Sequence, residues 1–321
     1  MTIFKKIICI SISAFFIFLC LKDIPLKNLF DKINYNLNLL LIAIFLLYLV
    51  NILKALRLKV LLNNYQKKKF QIYFKPVLLR QFLNTAFFFN IGEIFTPVVL
   101  KKYFKCSYFE GISIIFAERL IDLTIITIIF GISFLFNDFN LGNKIIYSYF
   151  LVFLFLILIF LLLINYKKKI FLIPSKILDN FVLGYKHSVK NINILYISVM
   201  LTFLIWFTFI LIDMLIFRAF NITNEISTIP NIIFLTGVMV LSQFIPAAPA
   251  SIGVFNYLVI QSIEAFYVAK GINYDLEIQT ELTSISMIVL LIYIIPDITW
   301  GSYVAYKESL QSLEKIKLKK L

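Results

Sequence analysis

Long apolar runs separated by short polar, lysine-bearing stretches make up nearly the whole chain. Residues 3–21, 37–56, 112–136, 145–164, 194–217 and 282–306 are each apolar enough, and at about 1.5 Å per residue long enough, to cross about 30 Å of hydrocarbon as a helix. Two further regions are apolar but interrupted. Residues 72–100 carry Arg80, Asn84, Asn90, Gly92, Glu93 and Pro97, and residues 231–269 are broken by Pro246, Pro249 and Gly253. Proline removes a backbone donor and glycine loosens a helix, so each region is expected to form two helical pieces that meet at an irregular turn. Such a turn is tolerated at membrane depth only where protein or water surrounds it, which makes both regions candidate re-entrant pairs. The pattern predicts an all-α multi-pass membrane protein of about six full spans plus two broken helical pairs, in one transmembrane domain covering residues 1–321.

Composition agrees. Hydrophobic residues are 61% of the 321, against roughly 45–50% in soluble domains. Charged residues are 15%, and 35 Phe with 17 Tyr exceed what one soluble core could hide, so a water-soluble enzyme is excluded. The first span follows Lys5 and Lys6 as a signal peptide would. No small-x-small cleavage site follows it, and Leu19 precedes Cys20 where a lipoprotein signal needs a small residue, so it is read as retained.

The net charge of +14 invites a nucleic-acid reading, which charge placement removes. Eight basic residues and no acid lie from Asn51 to Arg80, and Lys101, Lys102 and Lys105 follow the first break. Six Lys stand against Asp179 in residues 165–190, and five Lys against Glu308 and Glu314 after Tyr306. Residues 137–144 and 218–230 are neutral, and residues 270–281 are net negative. All basic stretches share one side if both termini are cytoplasmic, which points to the cytoplasmic membrane.

The two halves, residues 1–136 and 145–306, each read as span, span, broken pair, span, and they start from opposite faces. This is the order of an inverted repeat. Arg57 and Arg218 both end second spans, and Gly92 and Gly253 both sit at breaks. An offset of 161 residues relates each pair. The surrounding Asn90-Ile91-Gly92-Glu93-Ile94-Phe95 and Ser251-Ile252-Gly253-Val254-Phe255-Asn256 echo each other.

The third full span carries Glu118, Arg119 and Asp122. Each costs about 2.5–3.5 kcal/mol at a helix centre facing lipid, so they are expected to point inward. Glu118 and Asp122 share a face four residues apart, while Arg119 lies about 100° round the helix and needs another partner or a ligand. Two readings fit: a charge cluster that pins this helix to the broken pieces, or a polar cavity where Arg119 draws an anionic group and a carboxylate exchanges a proton. Glu93, at the first break, reads either as a helix N-terminal cap or as a substrate ligand. Lys54 and Arg57 read as snorkelling anchors, with Arg57 kept among the substrate-site candidates. Asp213 lies deep in the fifth span without a sequence-local partner, and Asp297 and Glu264 read as interfacial. Cys9, Cys20 and Cys106 lack disulfide or metal-ligand spacing, and His187 is the only histidine, so no metal site is expected.

Taken together, Ala55-Leu56-Arg57 with Leu61-Leu62, the Gly92-Glu93 pair with Pro97, Glu118-Arg119 with Asp122, the Pro246, Pro249 and Gly253 break, and Tyr293, Pro296 and Gly301 resemble the transmembrane region of the lysylphosphatidylglycerol synthase family. That flippase-like domain also occurs alone at about this length. The chain departs from the pattern at Ala250-Ser251, where the family usually has Gly-Gly, at Asn256, where it has an acid, and at Thr96, where it commonly has Arg. An Arg frequent in the family's last span is also missing. Two-domain members carry a soluble aminoacyl transferase after the membrane part. This chain ends 15 residues past residue 306, too few for one. The resemblance therefore implies lipid handling without lysyl transfer.

The leading expectation is translocation of an anionic or polyprenyl-linked lipid, with Glu118, Arg119, Asp122, Glu93, Gly92, Arg57, Pro246, Pro249 and Gly253 lining the path. No Gly-x-x-x-x-Gly-Lys-Ser/Thr loop occurs among the nine glycines, so neither ATP nor any other cofactor is expected. One alternative is an intramembrane lipid-modifying transferase that uses the paired carboxylates as acid and base. The other is a non-catalytic scaffold that docks a cytoplasmic partner enzyme through Lys67–Lys69 and the three lysines at 167–169, which otherwise meet anionic headgroups.

Overall fold

The computed structural model describes residues 3–22, 24, 34–88, 90–136, 183–186, 191–222, 227–243, 245 and 247–318. The expected span at 145–164, the three lysines at 167–169, His187 and Pro246 lie outside the described residues. Nine long α-helices follow in order among the described residues: α1 (Ile3–Leu21), α2 (Leu37–Leu61), α3 (Phe70–Ala86), α4 (Ile91–Phe104), α5 (Tyr108–Phe136), α6 (Ile192–Ala219), α7 (Ile229–Ser242), α8 (Val254–Ala269) and α9 (Leu276–Leu318). A 3-10 turn, Pro249–Ser251, precedes α8. The protein is all-α, and among the described residues four stretches are long and apolar enough to cross a membrane: Leu37–Leu61, Ile192–Ala219, Pro249–Ala269 and Leu276–Ser309.

Local chemistry sets the boundaries. Asn36 accepts from the amides of Asn38 and Leu39 to start α2, and Asn191 accepts from Asn193 to start α6. Asn36 N–H also donates to Ala219 O at 2.8 Å, and Arg57 near the end of α2 reaches Thr202 near the start of α6. The two long helices are thus antiparallel along one seam. Leu40, Ala43, Leu47 and Val50 of α2 and Ile205, Ile212 and Ile216 of α6 join the same buried core. On their outer faces Leu41, Ile42, Phe45, Phe203, Leu204 and Phe207 stay exposed, as residues facing lipid tails would.

Both interrupted regions form two helices. α4 and α7 have 14 residues each, about 21 Å of helix and well short of about 30 Å of hydrocarbon. α3 and α4 form a hairpin, since Lys75 of α3 and Lys102 of α4 both bind Glu308 of α9, at 2.7 and 2.6 Å. α7 and α8 do likewise, as Phe234 near the start of one packs against Phe266 near the end of the other. The two breaks meet: Asn90, held at φ 47°, donates from Nδ2 to the carbonyl of Gln243 at 3.2 Å.

The turn before α8 bears on a departure seen in the sequence. Ala250 and Ser251 adopt φ of 57° and 55°, a left-handed conformation that costs a residue with a Cβ roughly 1–2 kcal/mol. The glycines usual in the resembled family are suited to that backbone, so the break keeps its shape here at the expense of strain. Asn256, at the family's acidic position, accepts from Gly253 N–H at 3.2 Å and donates to Ser286 of α9 at 3.1 Å. A neutral amide therefore does the capping.

Helix pairing recurs along the chain. α3 packs on α4 as α7 does on α8, α4 on α5 as α8 on α9, and α2 on α3 as α6 on α7. Further along, α3 packs on α9 as α7 does on α5, and α2 on α9 as α6 on α5, while α2 and α6 pack on each other.

Candidate functional site

Three carboxylates and three guanidiniums meet where α2, α3, α4 and α5 converge. Glu118 of α5 is fully buried and sits between two arginines. Arg80 of α3 donates from Nη1 to Oε2 at 2.7 Å and from Nη2 to Oε1 at 2.9 Å. Arg57 of α2 donates from Nη2 to the same Oε1 at 2.6 Å. One turn on, Asp122 accepts from both terminal nitrogens of Arg57, Nη2 at 3.1 Å, and Arg57 Nη1 also reaches Thr202 Oγ1 of α6 at 2.9 Å. Arg119, on the neighbouring face of α5, pairs with Glu93 of α4 and reaches Asp122 at 3.4 Å. Forked, two-pronged pairing fixes orientation as well as charge.

The cluster changes the reading of several residues. Arg57 is no snorkelling anchor. It is 1% exposed, and burial so close to Glu118 and Asp122 makes it the hub that ties α2 to α5 and α6. Arg80, seen in the sequence only as an interruption, is the second cation on Glu118. The signal that would have found both is a charge count: Glu93, Glu118 and Asp122 against Arg119 alone leave two acids uncompensated, and buried charges occur paired. Thr202 carried no such signal. Glu93 does begin α4, but its carboxylate faces Arg119 and Asn84. Asp297 is not interfacial either, since it accepts from Thr85 at 3.0 Å and bonds Asn51 inside the bundle. Glu264 is half-buried and bonded to Gln261.

The cluster is graded in exposure. The Arg57, Arg80 and Glu118 side chains are 2%, 3% and 0% exposed, whereas Glu93 is 27% and Arg119 42% exposed. The interior end is therefore a sealed ionic lock, and the Arg119 end is open. Beside the open end, Glu93 Oε2 and Asn84 Oδ1 are buried acceptors without a hydrogen-bond partner. Lys54, one turn before Arg57, lies over the Phe209 ring at 5.3 Å and is close enough to Asp297, Arg119 and Asp122 to feel their charges.

Gly92 belongs to the scaffold of this site. A Cβ there would lie 2.1 Å from the Arg80 carbonyl oxygen and 2.5 Å from Asn84 Oδ1, so only glycine lets α4 start against α3 where Arg80 and Asn84 must be held. Gly92→Ala is expected to lower stability by about 1–3 kcal/mol, the usual cost of overpacking, measured as a drop in the detergent unfolding midpoint. Gly253 plays the same part at the second break, with φ 86° and the Ser13 carbonyl 2.5 Å from where its Cβ would be. Pro249 opens the 3-10 turn there. Among the described residues the turn at the second break packs on α3, the helix that carries Arg80, and Asn90 links the two breaks.

Comparison with curated proteins and with solved structures finds no match. The sequence does match the family described as the lysylphosphatidylglycerol synthase TM region over residues 6–273, a stretch that contains every residue of the cluster. Together with the helical bundle, this makes it a multi-pass membrane protein of a lipid-handling kind: the chain belongs to the lysylphosphatidylglycerol synthase transmembrane-region family.

Proposed function

We propose that this protein moves an anionic or polyprenyl-linked lipid between the leaflets of the cytoplasmic membrane, engaging the headgroup at the open end of the arginine–carboxylate cluster. The observation that carries the reading is the exposure gradient. Arg57 and Arg80 are held chiefly by Glu118 and Asp122, while Arg119 keeps donors free at the mouth, next to Glu93 Oε2 and Asn84 Oδ1, acceptors without a hydrogen-bond partner. A phosphate on Arg119, with a hydroxyl or ammonium on those acceptors, would satisfy all three.

The repeated helix pairing supports two halves related as an inverted repeat, with α2 and α6 at the pseudo-symmetry axis. The meeting of the two breaks puts irregular backbone beside the cluster, where rocking of one half against the other would expose it alternately to each side. Both termini are proposed to be cytoplasmic, with Lys75, Lys102 and the Glu308 end of α9 on that face and both hairpins re-entrant. A transferase reading loses its acid and base, because Glu118 is sealed between two guanidiniums and Asp122 is held by Arg57.

The test is reconstitution. Purified protein in liposomes is expected to move labelled anionic phospholipid or polyprenyl phosphate between leaflets faster than protein-free liposomes do. Rates no better than protein-free controls across several lipid classes would sink the proposal.

A further inference from the structure

Asp213 lies near the other end of the α2–α6 seam from Arg57. It is six residues before the end of α6 at Ala219, whereas Arg57 is four residues before the antiparallel end of α2 at Leu61. The carboxyl is 0% exposed, and no charged side chain among the described residues pairs with it. α7 offers Thr236 and α9 offers Tyr293. α2 contributes Ala43 and Leu47 to the surrounding core, and α5 contributes Ile126 and Ile129 beside Trp206. Lys54 reaches the same seam but sits over Phe209, which stacks on Tyr293 at 6.2 Å, so aromatic rings stand between ammonium and carboxyl.

The hydrogen count at this site is informative. Thr236 Oγ1 is 2.6 Å from Asp213 Oδ2 and 2.9 Å from the Ile232 carbonyl oxygen. If Asp213 is ionised, both neighbours are acceptors, and a hydroxyl has one hydrogen to give. A proton on Oδ2 makes both contacts good: Asp213 donates to Thr236, and Thr236 donates to Ile232. When the proton leaves, the Thr236 hydroxyl turns its hydrogen onto the carboxylate. Tyr293, with its hydroxyl 2.5 Å from Oδ1, donates in both states. The pocket thus serves a neutral and an ionised carboxyl by rotation of one hydroxyl, whereas a permanently charged group buried without a cation would be costly.

We infer that Asp213 is a proton-binding site, with Thr236 as its hydroxyl rotor and Tyr293 as its fixed donor, whose loading and release accompany lipid movement. The coupling rests on the translocation reading above, while the proton site stands on its own geometry. The step is a simple transfer: a proton from water joins the Asp213 carboxylate and later leaves to water on the other side.

Two measurements test this. Infrared difference spectra of the reconstituted protein between acid and alkaline pH should contain a titrating carboxylic-acid C=O band that Asp213→Asn removes and Tyr293→Phe shifts. Asn can keep both hydrogen bonds, and Phe keeps the ring packing, so the second variant decides if the first fails to fold. In liposomes, an imposed pH gradient should change the wild-type lipid rate several-fold, and Asp213→Asn should abolish that dependence. A band untouched by both variants, or a wild-type rate indifferent to the gradient, overturns the inference. A titrating Asp213 band in a protein that moves no lipid sinks the translocation reading and leaves the proton site standing.

Discussion

Glu118→Gln is expected to cost about 3–5 kcal/mol of stability, the usual penalty for removing one partner of a buried ion pair. For a protein of this size that is a fall of about 10 °C in unfolding midpoint, read by thermal unfolding in detergent. The size follows from what is left behind. The Glu118 carboxylate takes three hydrogen bonds from Arg57 and Arg80, which are almost wholly removed from solvent. A neutral amide presents one oxygen and an NH2 that points at a guanidinium, so Arg80 loses its close anion, with Glu93 no nearer than 4.0 Å. Asp122→Asn should cost less, because Arg57 still has Glu118 and Thr202. Pairing Glu118→Gln with Arg80→Met should recover much of the loss, since removing both members of a buried pair is far milder than removing one. If the single and double variants unfold at the same temperature, Arg80 and Glu118 are not coupled as their geometry requires.

The fold was legible because lipid imposes a simple rule on sequence. A helix that crosses hydrocarbon must be apolar for its whole length, so the runs at 37–56, 194–217 and 282–306 stand out and lie within α2, α6 and α9. The interrupted regions were legible for a related reason. Proline and glycine among apolar residues mark a place where the ladder stops, and the breaks fall between Ala86 and Ile91 and between Ser242 and Val254. Pro97 itself lies inside α4, as its seventh residue, where it removes the amide that would otherwise bond the Glu93 carbonyl, so a proline in the sequence does not by itself fix where the break falls. Charge statistics cannot reveal that both ends of the α3–α4 hairpin gather on Glu308, since that depends on three-dimensional packing.

The site was legible only in part. Glu118, Arg119 and Asp122 were conspicuous because charges inside an apolar run are rare. Arg57 and Arg80 were masked by their neighbours: Lys54 and Lys59 flank the first, and Lys75 precedes the second, so both merge with a basic, loop-like stretch. Periodicity says which face of a helix a residue occupies, but not whether the end of that helix is buried under another. Asp213 had the opposite problem. It was visible as a lone acid, but its partners Thr236 and Tyr293 lie 23 and 80 residues away on other helices, as uncharged residues that an apolar run can contain unremarked.

Arg119→Gln should separate a headgroup ligand from a structural strut. Its side chain is 42% exposed and its partner Glu93 is 27% exposed, so the pair resembles a surface ion pair of about 0–1 kcal/mol rather than the sealed lock behind it. The variant is therefore expected to keep an unfolding midpoint within about 3 °C of wild type, at the shift per kcal/mol usual for this size. Lipid movement should nevertheless fall at least about tenfold, the loss of one charge-assisted contact of roughly 1.5–3 kcal/mol to the headgroup. The swap of Arg119→Glu with Glu93→Arg sharpens the test. It preserves the ion pair between α4 and α5 but moves the cation off α5 and takes the acceptor away from Asn84. If Arg119 merely pins the two helices, the swap restores lipid movement. If Arg119 receives the phosphate, the swapped protein stays slow even where it remains folded with a carboxylate beside Asp122 and a guanidinium beside Arg80, because the headgroup meets a carboxylate at the open end of the cluster.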